Sequence, residues 1–298
     1  MPDLIRTSAP VAAALREGRP VVALESTVLA HGLPRPRNLE VGRALEAEVR
    51  SGGATPATVG VIGGVPIVGL DDVEVVRMAT AEGVLKLSTR DLAVPVARGL
   101  DGATTVAATM FLAQRAGVQV FATGGIGGVH RGEARDVSAD LTELGRTPMI
   151  VVCAGAKSVL DLPATREALE TAGVLVVGWM TDELPAFYAR ESGLSVDVRA
   201  DCAEEVADLW RAHRGLGSPG AILLCVPPPP EQALPADAIE ATIREALALA
   251  DRAGVTGKEV TPFLLRAVAE STGGRAPEAN VALLLNNARV GAAVAAAL

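Results

Sequence analysis

The sequence predicts an α/β fold built on a largely parallel sheet with helices on both faces. Three observations carry this. Short, largely apolar runs rich in Val and Ile recur at 21–24, 58–62, 118–122, 149–154, 174–178 and 221–226. Such runs mark strands covered on both faces. Amphipathic stretches fill the gaps at 39–50, 71–82, 103–117, 163–172 and 236–253. Alternation of this kind feeds each strand through a crossover helix into a parallel neighbour. Finally, 298 residues that are 49% hydrophobic and 21% charged are enough for one full core.

No low-complexity linker or internal repeat divides the chain, so residues 1–298 are expected to form a single domain. The prolines at 227–230 are the strongest break. From about residue 231 the pattern is helical throughout, and is read as a covering layer rather than a second domain. The apolar stretch at 281–298 is interrupted by Asn286, Asn287 and Arg289, so it is expected to pack as a helix rather than span a membrane. The first eighteen residues lack the basic start and long apolar core of a signal peptide.

Composition narrows the partners. A net charge of −8 with 2% aromatic residues disfavours nucleic acid, which needs a basic stripe and stacking rings. The same shortage of rings points to a small substrate. Cys153, Cys202 and Cys225 form no CxxC pair, so neither a disulfide framework nor a zinc site is expected, and a cytoplasmic location follows.

In open α/β sheets ligands collect at the carboxyl ends of strands, so the polar residues there matter most. Glu25, Ser26 and Thr27 follow the first run; Lys86, Ser88, Thr89 and Arg90 follow residues 83–85. The glycines 124, 125, 127 and 128 with His130 follow 118–122, and Lys157 and Ser158 follow 149–154.

Of 27 basic Lys and Arg residues only three are lysine: Lys86, Lys157 and Lys258. Arg keeps its proton at ordinary pH, whereas a desolvated Lys can lose it and act as a base or Schiff-base nucleophile. Lys157 follows an apolar strand and two small residues, where burial favours the neutral amine. Glu25, directly after a buried strand, suits a general acid or base, or else an ion pair with an arginine. The glycine run is neither a Walker A loop nor a GxGxxG turn. Its backbone suits an anion-binding nest, or else only a tight turn. The polar tail after it, His130, Arg131, Glu133, Asp136, Ser138 and Asp140, can supply oxygens to a hard divalent cation. Thr104 and Thr105 open a helical pattern, where hydroxyls either cap the helix or meet a phosphate. His31 falls in a polar strand-end segment, His213 on a helical surface, and Asn286 and Asn287 require partners that the sequence does not name.

Together these segments resemble the pseudouridine-5′-phosphate glycosidase family, which includes the indigoidine synthase A proteins. The carriers are VVALESTVLAHGLPRP, GATPATVGVIGGVPIVGL, KLSTRDL, GATTVAATM, VFATGGIGGVHRG, DVSADL, VVCAGAKSVLDL, GKEVTPFLL and the late NNA. The resemblance spans nearly the whole chain. It implies an α/β/α sandwich, a homotrimer and one manganese ion per subunit. The implied reaction interconverts pseudouridine 5′-phosphate and water with uracil and ribose 5-phosphate. By the same resemblance Lys157 matches the nucleophile and Glu25 the proton donor. Lys86, Val106 and the stretch Ser138, Ala139 and Asp140 match substrate contacts, and Asp136 matches the metal position, with Asp140 kept as its alternative.

The chemistry suits these residue types. A carbon–carbon glycosidic bond offers no leaving oxygen for paired carboxylates to protonate. Opening the sugar is the way round: Glu25 protonates the ring oxygen, Lys157 attacks the anomeric carbon, and an open-chain imine serves as electron sink. Lys86, Thr104, Thr105 and backbone amides would anchor the phosphate, with His130 nearby. Two other readings stay open: a Schiff-base aldolase on another sugar phosphate, and a non-catalytic sugar-phosphate binder.

Overall fold

Strand β2 (Val21–Leu24) is buried along its whole length and sits near the middle of an 11-stranded sheet. The structure is a computed structural model that describes residues 4–131, 136–255 and 260–298. Parallel partners flank β2 on both sides: β3 (Thr55–Ile62) and β7 (Val120–Ala122). The parallel block continues through β9 (Ile150–Cys153), β13 (Ile222–Cys225), β11 (Leu175–Trp179) and β12 (Val198–Ala200). Beyond β3 the sheet becomes mixed. Strand β4 (Val65–Val68) and strand β6 (Gly102–Thr104) both run antiparallel to β3. Strand β5 (Leu85–Leu87) lies parallel to β6, and the short β1 (Arg6–Thr7) lies parallel to β4. A separate antiparallel pair joins β8 (Val129–His130) to β10 (Leu160–Asp161).

Two apolar layers cover the sheet. One packs α1 (Ala9–Arg16), α5 (Val106–Arg115), α6 (Ala139–Leu144) and α7 (Leu162–Thr171) around Phe121, Met110 and Val151. The other packs α2 (Arg37–Ser51), α8 (Ala203–Gly215) and α11 (Arg275–Ala297) around Val22, Val120 and Val152. Alternate side chains of the same strands serve opposite faces, which is why these strands read as continuous apolar runs. Each fully buried Leu, Ile or Phe contributes about 1.5–3 kcal/mol. Small residues bring α11 close: a Cβ on Gly291 would stand 3.2 Å from the Ala122 methyl. The helical layer after residue 231 is α9 (Ala236–Arg252), α10 (Val260–Ser271) and α11.

The α/β fold, the mixed sheet and the helices on both faces agree with the sequence. Two of the differences in boundaries bear on the site. Helix α5 starts at Val106, because Gly102–Thr104 is claimed by hydrogen bonding to β3 and β5. Lys86 lies within β5 rather than after it.

Candidate active site

Three adjacent strands, β2, β7 and β9, end in register: Leu24 pairs with Ala122, and Ala122 with Val152. Glu25 and Thr123 therefore leave the sheet side by side. Past the strand ends, the loops after β7 and β9 stay laced together. Thr123 N–H donates to Val152 O (2.9 Å), Ala154 N–H to Gly124 O (2.9 Å), Ile126 N–H to Gly155 O (3.1 Å) and Lys157 N–H to Ile126 O (3.1 Å). This lacing fixes the backbone of Lys157, whose side chain is half-buried.

The glycines serve that lacing. Gly155 has φ +83°, and a Cβ there would meet Pro185 O at 2.2 Å. A Cβ on Gly127 would strike Ser138 Oγ at 2.2 Å. The run is therefore built for close approach. The anion it binds is one of the protein's own: Gly127 N–H donates to Asp140 Oδ2 at 2.8 Å, and Ala107 N–H to Asp140 Oδ1 at 2.9 Å. Asp140 is 6% exposed and ties the start of α5 to the glycine loop. Ser138 caps α6 by accepting from Asp140 N–H at 3.2 Å. Ala139 stands exposed beside it.

Glu25 is held on both oxygens, by Thr27 Oγ1 on Oε2 and by Thr123 Oγ1 on Oε1. Across from it, Lys86 has its ammonium disfavoured. Desolvation is the main cause, the positive charge of Lys157 adds to it, and the carboxylates Glu25 and Asp140 oppose it. Lys86 extends to the open mouth of the cleft, yet enough protein surrounds it to lower its pKa below the usual 10.5. Each of these charges acts on Lys86, so Glu25, Asp140 and Lys157 lie around it, and the cleft between them is the candidate site. His31, in a π-helical turn at Val28–Gly32, bonds the Val84 carbonyl at 3.1 Å. Its pKa is lowered by burial, with Lys86 contributing.

Not every candidate reaches the cleft. Thr104 is fully buried, and its hydroxyl donates to Val59 O (2.8 Å) and accepts from Thr109 (2.9 Å). Val106 is 2% exposed at the first turn of α5. Thr105 caps that turn in position, with its hydroxyl meeting no partner among the described residues. His130 sits in β8, with Nδ1 3.8 Å from Asp136 Oδ2. His213 is more than a surface ring: it stacks on Trp210 and bonds Gly220 O at 2.8 Å. Glu133 and Lys258 lie outside the described residues. A cavity of ≈ 800 Å³ opens beside Ser158, the residue after Lys157, and is lined also by Arg131, Asp161, Glu183, Asp237 and Glu240. Carboxylates outnumber cations in this lining, which disfavours a phosphate there.

For a divalent cation, both oxygens of Asp140 are already engaged by backbone amides. Asp136 presents an exposed carboxylate, with the His130 imidazole beside it. No cluster of three His, Cys, Asp or Glu side chains with metal-binding geometry occurs among the described residues. A hard cation that keeps most of its waters needs only one or two carboxylates, and the Asp136 position fits that demand.

Thr123 is the residue absent from the strand-end candidates, whereas Thr27 stands among them. The signal was present: Thr123 follows β7 as directly as Glu25 follows β2.

Similarity to known proteins runs along nearly the whole chain. Residues 10–297 match the family described as indigoidine synthase A like protein. The pseudouridine-5′-phosphate glycosidase of Chloroflexus aurantiacus is 58% identical over 98% of both chains. That of Roseiflexus sp. is 59% identical, over 99% of this chain and 96% of its own. Among solved structures, the prealnumycin C-glycosynthase AlnA in complex with ribulose 5-phosphate superposes with a TM-score of 0.94 at 45% identity. That match covers 100% of this chain and 98% of AlnA. An indigoidine synthase A-like protein from Thermotoga maritima gives 0.88 at 37%, covering 98% and 95%.

Proposed function

The chain belongs to the indigoidine synthase A-like family and is an enzyme, and we propose that it is a pseudouridine-5′-phosphate glycosidase acting through a lysine adduct. The observation that carries this reading is the convergence of Glu25, Lys86 and Lys157 beyond the carboxyl ends of the strands, in a chain 58% identical to a glycosidase of that name. The substrate is a sugar phosphate, in keeping with the ribulose 5-phosphate bound by AlnA.

Lys157 in its neutral form attacks C1 of the ribose while Glu25 gives its proton to the ring oxygen. The C1–O bond breaks and the ring opens. Electron counting corrects the expected order of events. After attack, C1 carries nitrogen, hydrogen, C2 and the uracil carbon, so it is a saturated amine rather than an imine. The attacking nitrogen, now a secondary ammonium, returns a proton to the Glu25 carboxylate, which passes it to that uracil carbon; the nitrogen lone pair then forms C=N as the C–C bond breaks, and uracil leaves. Water then hydrolyses the imine, releasing ribose 5-phosphate and the free lysine.

Lys86, at the cleft mouth, pairs with the phosphate and fixes the sugar at reacting distance. The Thr105 hydroxyl, buried at the start of α5, takes no part in this contact. Asp140 keeps that helix start against the glycine loop. Manganese would be held by Asp136 with His130 beside it, and would supply positive charge to organise the phosphate end. A homotrimer is part of this reading, and a solution mass near three times 30.4 kDa tests it. So is a cytoplasmic setting. No helix among the described residues is long and apolar enough to cross a membrane.

One alternative assignment has an observation in its favour. The depressed ammonium is that of Lys86, which therefore competes for the nucleophile's role. Its place in β5, at the open mouth of the cleft, favours phosphate binding instead. The activity itself is tested by following uracil release from pseudouridine 5′-phosphate, with and without manganese. Release with concomitant ribose 5-phosphate supports the reading. Cleavage of other sugar phosphates with no uracil formed would favour an aldolase.

A further inference from the structure

The carboxyl group of Glu25 does not hang free at its strand end. Thr27 reaches it from the same chain segment, two residues on, and Thr123 reaches it from the neighbouring strand end. The two threonines differ in how firmly they stand. Thr27 is half-buried at the entrance to the π-helical turn. Thr123 is 2% exposed, and its backbone is bonded on both sides. Its N–H donates to Val152 O at 2.9 Å, and its carbonyl accepts from Asn287 Nδ2 at 2.8 Å.

We propose that Thr27 and Thr123 are positioning residues that aim the Glu25 carboxyl, with the more deeply buried Thr123 as the firmer post. A carboxylate offers about four lone-pair sites, two on each oxygen. Each threonine hydroxyl takes one. A proton bound to Glu25 must occupy one oxygen, and the hydroxyl already donating there has to turn. Either hydroxyl can turn about its Cβ–Oγ bond while its oxygen stays in place. The two posts therefore hold the Glu25 carboxyl in one orientation whether or not it carries the proton.

Lys157 and Lys86 are the cations sharing this cleft, and Asp140 has both oxygens engaged elsewhere. This inference rests on Glu25 being the proton donor.

The test uses the full chain and four variants: Thr123→Val, Thr123→Ser, Thr27→Val and Thr27→Ser. Valine keeps the shape and removes only the hydroxyl. Uracil release is measured first in the parent enzyme, then kcat and KM in each variant, with the thermal midpoint as a check on folding. Thr123→Val should lose about 10²-fold in kcat with KM within twofold, as expected when a reacting group is misaimed. Thr27→Val should lose less, and both serine variants should recover most of the loss. Valine variants that keep full kcat would overturn the proposal. So would variants in which kcat and thermal midpoint fall together without serine rescue. A Thr27 effect larger than that of Thr123 would overturn the asymmetry. If the parent releases no uracil, the functional reading itself fails and takes the aiming role with it. An active parent with indifferent variants fails the proposal alone.

Discussion

Asn287, on the last helix, donates from Nδ2 to the carbonyl oxygen of Thr123 at 2.8 Å, and at 3.4 Å to that of Gly124. A helix from the end of the chain thus pins the residue that holds Glu25. Asn287 is fully buried, and its Oδ1 meets no donor among the described residues. Replacing it with Leu leaves the Thr123 carbonyl short of a partner inside the protein, at a cost of about 1–3 kcal/mol. The expected result is a lower urea midpoint with unchanged m-value, accompanied by a drop in kcat. An unchanged midpoint would show that the carbonyl does not depend on this amide.

Lys86 predicts a pH dependence of binding. Its ammonium is disfavoured mainly by burial and secondarily by Lys157, so it loses its proton below the usual 10.5. A phosphate anchor works only while charged. The KM for pseudouridine 5′-phosphate should therefore rise as pH climbs through that lowered value. Glu25 and Asp140 face Lys86 and oppose the shift, and His31 lies nearby. Lys86→Arg, always charged, should hold KM level to higher pH. Parallel KM curves for the two proteins would contradict this role.

Gly155→Ala tests the lacing of the two loops. The position needs φ +83°, and a methyl would lie 2.2 Å from Pro185 O. Strain in the left-handed region alone costs about 1–3 kcal/mol, and the backbone clash adds to it. Urea unfolding should show at least that loss, and Lys157, two residues on, should turn over more slowly. A variant as stable and active as the parent would mean that the Pro185 loop yields easily.

Metal binding separates the two acidic candidates. Asp136→Ala should lose manganese in equilibrium dialysis followed by elemental analysis, because its carboxylate is the exposed one. Asp140→Asn should keep the ion while losing stability, since it breaks a clamp between Gly127 and Ala107. The opposite pattern would move the ion to Asp140.

Some of this was legible in the sequence because the signal was local. Strand β2 has the expected bounds, since Pro20 precedes it and Glu25 ends its apolar run. Strand β6 was read as the start of a helix, because Gly-Ala-Thr shows no period of its own and its strand character comes from pairing with β3 and β5. Glu25 and Lys157 stood out by residue type and by their place after buried strands. Their proximity depends on the order β2–β7–β9, which no local pattern encodes. The Asn287 partner lies 164 residues away, and the twofold use of Asp140 joins a loop to a helix start. Contacts of that span become readable only once the sheet is assembled.

The most direct test of the account is reductive trapping. Borohydride added while the enzyme turns over ribose 5-phosphate and uracil should reduce the imine and fix the sugar phosphate to one amine. Peptide mapping by mass spectrometry should then find the added pentose phosphate on the peptide containing Lys157, with none in Lys157→Arg. An adduct on Lys86, or turnover without any adduct, would contradict the central claim.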